Sequence, residues 1–170
     1  WAVEAIWHDL HPRMLRFLRG MDPQNAEDLA SETWLRIARD LGRFEGTEFE
    51  FRAWVFTIAR YRWIDGRRRD RRDPAVPLPI EALSAVAARD NPAQEVEDAV
   101  GLEAALALVR KLPPDQCEVI LLRVVAGLAV AQVARIVGKR PGTVRVLQHR
   151  GLQRLAQRLG PTAPLELGKL

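Results

Sequence analysis

Residues 129–150 of this 170-residue chain read AVAQVARIVGKRPGTVRVLQHR, and this stretch decides the fold. Apolar side chains recur in its first half at the i, i+3, i+4 and i+7 spacing that gives a helix one apolar stripe. They are Val130, Val133, Ala134 and Val137. Gly138 predicts the end of that helix because glycine takes a positive φ at little cost, and Pro141 suits the first turn of the next helix. The pattern is typical of a DNA-reading helix-turn-helix.

The second helix of this segment is predicted to have an apolar side and a basic side. The apolar side carries Val144, Leu147, Gly151, Leu152 and Leu155. The candidate DNA contacts are Lys139, Arg140, Thr143, Arg145, His149 and Arg150. Arg145 is the first candidate for a guanine because a guanidinium can donate two hydrogen bonds to that base, whereas Lys139 and Arg140 suit phosphates. Thr143 either bonds a phosphate or caps the helix.

The composition indicates a soluble chain of one or two small domains. Hydrophobic residues make up 48% of the sequence and the formal net charge is +4. No run reaches the roughly eighteen apolar residues of a spanning helix, and no signal-like leader begins the sequence, so we expect no membrane insertion. Cys117 is the only cysteine, which excludes an internal disulfide and a thiolate-rich zinc site within one chain. The expected location is the cytoplasm.

Charge is distributed unevenly along the chain. The net charge is +2 for residues 1–72, −5 for residues 73–101 and +7 for residues 102–170. Two cationic ends joined by an acidic segment indicate two modules that face nucleic acid and a linker that avoids it. Prolines interrupt any long helix in the linker, although Ile80, Leu83 and Val86 have the spacing of a short helical piece.

The first 72 residues have helical periodicity throughout. The expected helices are Ala2–Arg19 with a stop at Gly20, Asn25 as N-cap to about Leu41, and near Glu50 to Arg72. The loop between the second and third helices carries Phe44 and Phe49, and Trp34, Trp54 and Trp63 are expected in the core. The predicted fold class is all-α, with two helical domains joined by a linker and the helix-turn-helix in the C-terminal one.

Motifs in three places resemble the extracytoplasmic-function sigma factors, small members of the sigma-70 superfamily of bacterial RNA polymerase sigma factors. They are AEDLASETWLR (26–36), FRAWVFTIAR with WIDGRR (51–60 and 63–68), and LPPDQ (112–116) before the helix-turn-helix. A helix-turn-helix alone is shared by many regulators, whereas this order of motifs is specific. The resemblance implies a region 2-like domain at 1–72, a linker at 73–101, a region 4-like domain at 102–160 and a tail at 161–170.

The resemblance implies that the second helix binds core RNA polymerase. Asp28 and Glu32 lie one turn apart and share a face. With Ser31 and Leu35 they would meet a helical hairpin of the largest polymerase subunit, where complementary charge fixes the register. A solvated acidic face is the alternative, and the family often has glutamine where Ser31 stands.

The resemblance also implies that the region 2-like domain melts promoter DNA and binds the downstream element. The implied contacts are Arg43, Phe44, Phe49, Arg60, Arg67, Arg68 and Arg71. Aromatic rings stack on unpaired bases, and clustered arginines hold phosphates. The alternatives are that Phe44 or Phe49 anchors its own loop, and that Asp65 and Asp70 screen a solvated helix end.

Arg145, His149 and Arg150 match family positions that touch the upstream element. After the first arginine, relatives commonly have a serine, an arginine and an aliphatic residue, whereas this chain has Val146-Leu147-Gln148. Either Gln148 points outward to a base or the helix is slightly rotated. The preferred promoter therefore cannot be copied from relatives.

The implied function is that of an alternative sigma factor that binds core RNA polymerase and promoter DNA and is restrained by an anti-sigma factor. No cofactor, metal or small-molecule substrate is expected, because Glu4, His8 and His11 lack a further ligand and no catalytic motif surrounds Cys117. An enzyme is therefore not expected. Two other classes stay open: a stand-alone helix-turn-helix regulator, and an interaction protein such as a decoy that binds polymerase or an anti-sigma partner.

Overall fold

The computed structural model describes the backbone of residues 2–72 and 92–160 and the side chains of residues 5–72 and 98–160. Within those ranges every regular element is helical. The elements are α1 (Ala2–Met21), α2 (Ala26–Asp40), α3 (Glu48–Arg72), α4 (Pro92–Arg110), α5 (Pro114–Ile120), α6 (Val130–Val137) and α7 (Pro141–Leu159). A 3₁₀ turn, Leu41–Arg43, follows α2, and a π-helical turn, Leu121–Val125, follows α5. The predicted all-α class is confirmed.

Helices α1 to α3 form an N-terminal module around the apolar stripes that the sequence predicts. Met14, Phe17 and Phe56 are fully buried there, and the rings of Phe17 and Phe56 meet edge to face with centroids 5.6 Å apart. Burial of each such side chain contributes about 1.5–3 kcal/mol, so these contacts stabilise the packing of α1 against α3.

Helices α4 to α7 form a C-terminal module that contains the helix-turn-helix. Gly138 adopts the left-handed conformation, with φ 66° and ψ 34°, and the Lys139 amide donates to the Ala134 carbonyl at 3.0 Å. This geometry closes α6, and Pro141 then lies in the first turn of α7, as predicted. Val144 and Leu155 of α7 are buried against the module core.

The start of α3 depends on a capping box that the sequence reading did not include. The Thr47 hydroxyl accepts the Glu50 amide at 3.3 Å, and the Glu50 carboxylate accepts the Thr47 amide at 2.7 Å. These reciprocal bonds satisfy free amides of the first turn, so α3 begins at Glu48 rather than near Glu50. They also hold the pKa of Glu50 below its ordinary value, because hydrogen bonds favour the ionised carboxylate.

Two other helix starts bear on the predicted boundaries. Asn25 takes the predicted N-cap position of α2, and its carbonyl accepts the Leu29 amide at 2.9 Å. Its side chain makes no capping hydrogen bond, because its Nδ2 donates to Asp22 at 3.1 Å. Helix α4 begins at Pro92 and so runs through the end of the segment expected to be a linker. The helical piece suggested at Ile80, Leu83 and Val86, and the tail at residues 161–170, lie outside the described residues.

The two modules pack directly against each other. Gly20 near the end of α1 is buried beneath Leu121, and a Cβ at this position would lie 2.6 Å from the Leu121 Cδ2. The Arg110 guanidinium donates to the Arg19 carbonyl at 2.9 Å, and the Cys117 thiol lies 3.8 Å from the Gly20 carbonyl oxygen. Glycine therefore permits a close approach that any side chain would obstruct.

Candidate nucleic-acid and polymerase interfaces

Helix α7 presents a row of basic side chains to solvent. Arg145 and His149 are exposed one turn apart and therefore share a face, and Arg150 follows them, also exposed. Arg140 and Thr143 are exposed at the beginning of the helix. Lys139 differs because it is half-buried and its ammonium lies 3.0 Å from the Asp115 carboxylate of α5. A base-reading helix start flanked by phosphate-binding cations has this arrangement.

Gln148 is half-buried and bonded within the C-terminal module. Its Oε1 accepts a hydrogen bond from the Arg123 Nε at 3.0 Å, and Arg123 also donates to the Leu128 carbonyl. Val146 is 47% exposed beside the exposed Arg145. Of the two interpretations that the sequence left open, the bond from Arg123 favours a slightly rotated helix over a Gln148 that points outward to a base.

The predicted cations of α3 fall into two groups. Arg67, Arg68 and Arg71 are exposed near its end, with the Arg67 guanidinium 5.2 Å from the centre of the Trp63 ring. Arg60 is not free, because its guanidinium donates to the Glu118 carboxylate of α5 and only 21% of its side chain is exposed. Arg43, in the 3₁₀ turn, is exposed.

The two loop phenylalanines have different environments. Phe44 is half-buried in an aromatic cluster, with its ring centre 5.1 Å from that of Phe51 and 5.0 Å from that of Trp54. Its packing agrees with the anchor alternative. Phe49 is 57% exposed, so its ring is accessible for stacking.

Tyr61 is an exposed aromatic residue that the sequence reading missed. Its side chain is 61% exposed on α3, next to Arg60 and about two turns before Arg68. A solvent-facing ring among arginines is the combination that holds single-stranded bases. The signal was present in the sequence as an aromatic residue directly after Arg60 in the basic helix.

The predicted polymerase-binding residues all lie on α2 and include both polar side chains and one leucine. Asp28 and Ser31 are exposed, Glu32 is half-buried, and Leu35 is 62% exposed. The Ser31 hydroxyl donates to the Glu27 carbonyl of its own helix at 3.0 Å, which limits its use as a contact. An exposed leucine beside carboxylates is a surface suited to a protein partner.

Aromatic residues fix the orientation of this helix against α1. The Trp34 indole donates to the His11 Nδ1 at 2.9 Å, and Trp7 stacks on the His11 ring at 4.6 Å. The Nδ1 can accept only when it carries no proton. The pKa of His11 is lowered, chiefly by burial, with Glu27 raising it and Arg19 lowering it further. His11 is therefore a packing residue of this module.

Among the described residues, no group of three or more histidine, cysteine or acidic residues could hold a metal ion, and no described helix is long and apolar enough to cross a membrane. An apolar cleft of about 610 Å³ lies between α1, α2 and the loop before α3, and Trp7, Ile37 and Phe51 are among its lining residues.

Comparisons with known families match both modules. Residues 6–73 match sigma-70 region 2, and residues 102–155 match sigma-70, region 4. The chain is 34% identical over 163 residues to the ECF RNA polymerase sigma factor SigD of Mycobacterium tuberculosis, covering 91% of this chain and 75% of SigD. It is 39% identical over 134 residues to the ECF RNA polymerase sigma factor BldN of Streptomyces coelicolor, covering 79% of this chain. The chain spans about half the length of BldN.

Solved structures share the fold at low sequence identity. The sigma factor RpoE of Bartonella quintana, solved in complex with the anti-sigma factor NepR, superposes with a TM-score of 0.69 and 22% identity over 95% of this chain and 99% of RpoE. CnrH, solved in complex with the cytosolic domain of CnrY, gives a TM-score of 0.58 and 20% identity over 92% of this chain and 84% of CnrH. These similarities show that the two-module helical fold is shared.

Proposed function

Because this chain belongs to the extracytoplasmic-function (ECF) RNA polymerase sigma factors, we propose that it binds core RNA polymerase and directs it to a specific class of promoters. The observation that carries the proposal is the presence, in order and in one chain, of sequences that match sigma-70 region 2 and region 4. A stand-alone helix-turn-helix regulator has no use for the first of these.

We assign the binding of core polymerase and of the downstream promoter element to the N-terminal module, residues 1–72. We assign the binding of the upstream promoter element to residues 102–160. On α2, the contacts with polymerase are Asp28, Glu32 and Leu35, with Ser31 at the edge. On α3 and its loop, the contacts with melted DNA are Arg43, Phe49, Tyr61, Arg67, Arg68 and Arg71, together with Arg60 once it is released from Glu118. Apart from the half-buried Glu32 and Arg60, these side chains are exposed, and this exposure supports the assignment.

For the upstream element, we assign Arg145 to a base edge and His149 and Arg150 to the same groove. Arg140, Thr143 and Lys139 hold phosphates near the start of α7. A bidentate guanidinium-to-guanine contact gives about 1–3 kcal/mol of discrimination, whereas phosphate contacts position the helix without reading sequence. We therefore expect the sequence specificity of α7 for the upstream element to come chiefly from Arg145.

The chain performs no covalent step in this proposal. Promoter opening is driven by the binding free energy that the two modules and the polymerase gain on the melted strands. Such a factor acts where polymerase meets the chromosome, in the cytoplasm. RpoE and CnrH were solved with NepR and with the cytosolic domain of CnrY, and we extend the same class of partner, an anti-sigma factor, to this chain.

Transcription reconstituted with purified core polymerase and a library of promoter fragments tests the proposal. We expect run-off products from a subset of fragments only when the chain is added. A chain that binds duplex DNA tightly alone and directs polymerase to no fragment would be a stand-alone regulator. A chain that binds polymerase without supporting initiation would be a decoy.

A single substitution tests the polymerase surface. We expect Glu32→Ala to weaken binding of core polymerase by about 0.5–1 kcal/mol, because it removes a charge from the docking face, and to leave promoter choice unchanged. Fluorescence titration of labelled chain with core polymerase measures the effect. Glu103→Ala on α4 makes the same change of charge outside this face, and equal affinities for the two variants would remove the assignment.

A further inference from the structure

Polar contacts join the two modules on the side of α3. The Arg60 guanidinium of α3 donates to both oxygens of the Glu118 carboxylate of α5, with the Nη2 to Oε2 distance at 3.5 Å. The Gln132 amide of α6 donates to the Phe49 carbonyl at 2.9 Å. We refer to these two contacts, Arg60–Glu118 and Gln132–Phe49, as the inter-module clasp.

The first contact of the clasp is shielded from solvent. The side chain of Glu118 is 10% exposed and that of Arg60 is 21% exposed. A carboxylate removed from water to this extent needs a cation, because its desolvation is otherwise uncompensated. Asp115, one turn earlier on α5, is 57% exposed and pairs within its own module with Lys139. Of these two carboxylates, Glu118 is the one that crosses to the other module.

The second contact uses one side chain for two purposes. Gln132 is 4% exposed, and its Oε1 accepts the Ala129 amide at 2.9 Å at the beginning of α6. Its Nε2 donates to the backbone of the first turn of α3, at Phe49. The first helix of the helix-turn-helix is thereby held against the loop and helix assigned to melted DNA.

A cleft of about 520 Å³ separates the facing surfaces beside this contact. The N-terminal module contributes Thr47, Phe49, Trp54 and Thr57, and α6 contributes Arg135 and Ile136. Phe49 is one of the aromatic residues assigned to unpaired bases. In this arrangement α6 forms one wall of the space beside it, where the DNA strand would run.

We propose that the inter-module clasp is an autoinhibitory contact, in which Glu118 takes the place of a DNA phosphate at Arg60 and α6 covers the surface for the melted strand. This inference rests on the proposed function, because Arg60 is assigned there to promoter DNA. The chain exchanges between a closed state that does not bind the downstream element and an open state that does. Core polymerase, by binding the separated modules, shifts the population to the open state.

The clasp lowers the apparent affinity for DNA in proportion to the fraction of open chain. The first test is binding of a short fluorescein-labelled single-stranded DNA of randomised sequence to the full chain without polymerase. We expect Glu118→Gln to bind about tenfold more tightly than wild type, because it weakens one charge-assisted contact of the closed state. Asp98→Asn makes the same change of charge at an exposed position of α4 that belongs neither to the clasp nor to the residues assigned to DNA, and we expect a change of less than about twofold.

Cys117 gives an independent readout of module separation. Its thiol is 7% exposed beneath α1, and its pKa is raised to about 11 by burial first and then by the charge of Glu118, while Arg110 lowers it. A buried thiol with so high a pKa reacts slowly with maleimides. We expect Arg60→Gln, which leaves Glu118 in place, to accelerate alkylation by N-ethylmaleimide at least about threefold.

The two readouts separate the failure of this inference from failure of the proposed function. Equal DNA affinities for Glu118→Gln and Asp98→Asn, or an unchanged alkylation rate in Arg60→Gln, would overturn autoinhibition by the clasp. Reconstituted transcription tests the sigma function itself and does not depend on either result. If circular dichroism shows that Glu118→Gln is unfolded, Gln132→Ala replaces it, with the same gain in DNA affinity expected.

Discussion

The basic helices α3 and α7 differ in how far the arginines assigned to DNA are exposed. On α7, Arg145 and Arg150 are exposed. On α3, Arg60 is bonded to Glu118 of the opposite module. Both helices carry several arginines in their sequences, so the difference in exposure arises from tertiary packing. The arginines of α7 that we assign to the upstream element are exposed, whereas Arg60 of α3, which we assign to the downstream element, is largely covered.

Loss of the exposed Arg145 side chain is expected to have the largest effect on DNA binding. Arg145→Ala in the polymerase complex should weaken binding to the preferred upstream element by about 1–3 kcal/mol, because the bidentate base contact is lost. Arg158→Ala, at the far end of the same helix, removes the same charge and should have a much smaller effect. Competition binding with duplexes altered one base at a time measures both. Uniform weakening across all duplexes would make Arg145 a phosphate contact instead.

Substitution of Tyr61 tests the exposed residues of α3 that we assign to the downstream element. Tyr61→Ala should slow promoter opening, with a loss of about 1 kcal/mol or more in binding of the melted strand, because base stacking is removed. Tyr61→Phe retains the ring and should behave like wild type. Fluorescence of 2-aminopurine placed at each position of the downstream element follows opening directly. Equal rates for the alanine and phenylalanine variants would exclude stacking.

Gly20 tests whether the two modules are held together by close packing. A methyl group there meets Leu121 at 2.6 Å, and Leu121 is fully buried, so Gly20→Ala should lower the free energy of unfolding by about 1 kcal/mol. It should also accelerate alkylation of Cys117. Gly101→Ala in α4 has nothing within 4 Å, so the better helix propensity of alanine should raise stability slightly. Urea unfolding of both variants measures the contrast, and a stabilised Gly20→Ala would show that a methyl group is accommodated beside Leu121.

The features that the sequence predicted are local ones. The stop at Gly138 and the start at Pro141 depend on backbone preferences within a few residues, so the helix-turn-helix could be located in advance. The Thr47–Glu50 capping box is equally local and was readable, although it was missed. Both allow helix boundaries to be derived from residue types alone.

The features that the sequence did not predict depend on distant partners. Arg60 and Glu118 are 58 residues apart, and neither helical periodicity nor the family motifs indicate that they meet. Likewise, the burial of Phe44 against Phe51 and Trp54 depends on how the loop folds back over α3. Which candidate DNA contacts are covered is therefore a tertiary property, whereas which residue types can contact DNA is a local one.

The smallest expected effect concerns the support of the polymerase-binding helix by His11. Its pKa in the folded chain is below the ordinary value of 6.5, chiefly because burial disfavours the imidazolium. The unfolded chain therefore takes up the proton first as pH falls, so the contribution to stability is full above about 6.5 and is lost as pH falls through the lower, folded value. Protonation at Nδ1 also breaks the bond from the Trp34 indole.

His11→Gln keeps a hydrogen-bond acceptor for Trp34 and cannot titrate in this range. We expect the urea midpoint of wild type to fall further than that of His11→Gln when the pH is lowered from 7.5 to 5.5, because other titrating groups are common to both chains. Trp34→Phe in the same comparison should be less stable at pH 7.5, since the acceptor on His11 loses its donor. Parallel pH profiles for wild type and His11→Gln would show that His11 titrates alike in the folded and unfolded chains, and the aromatic contact between α1 and α2 would then be independent of pH.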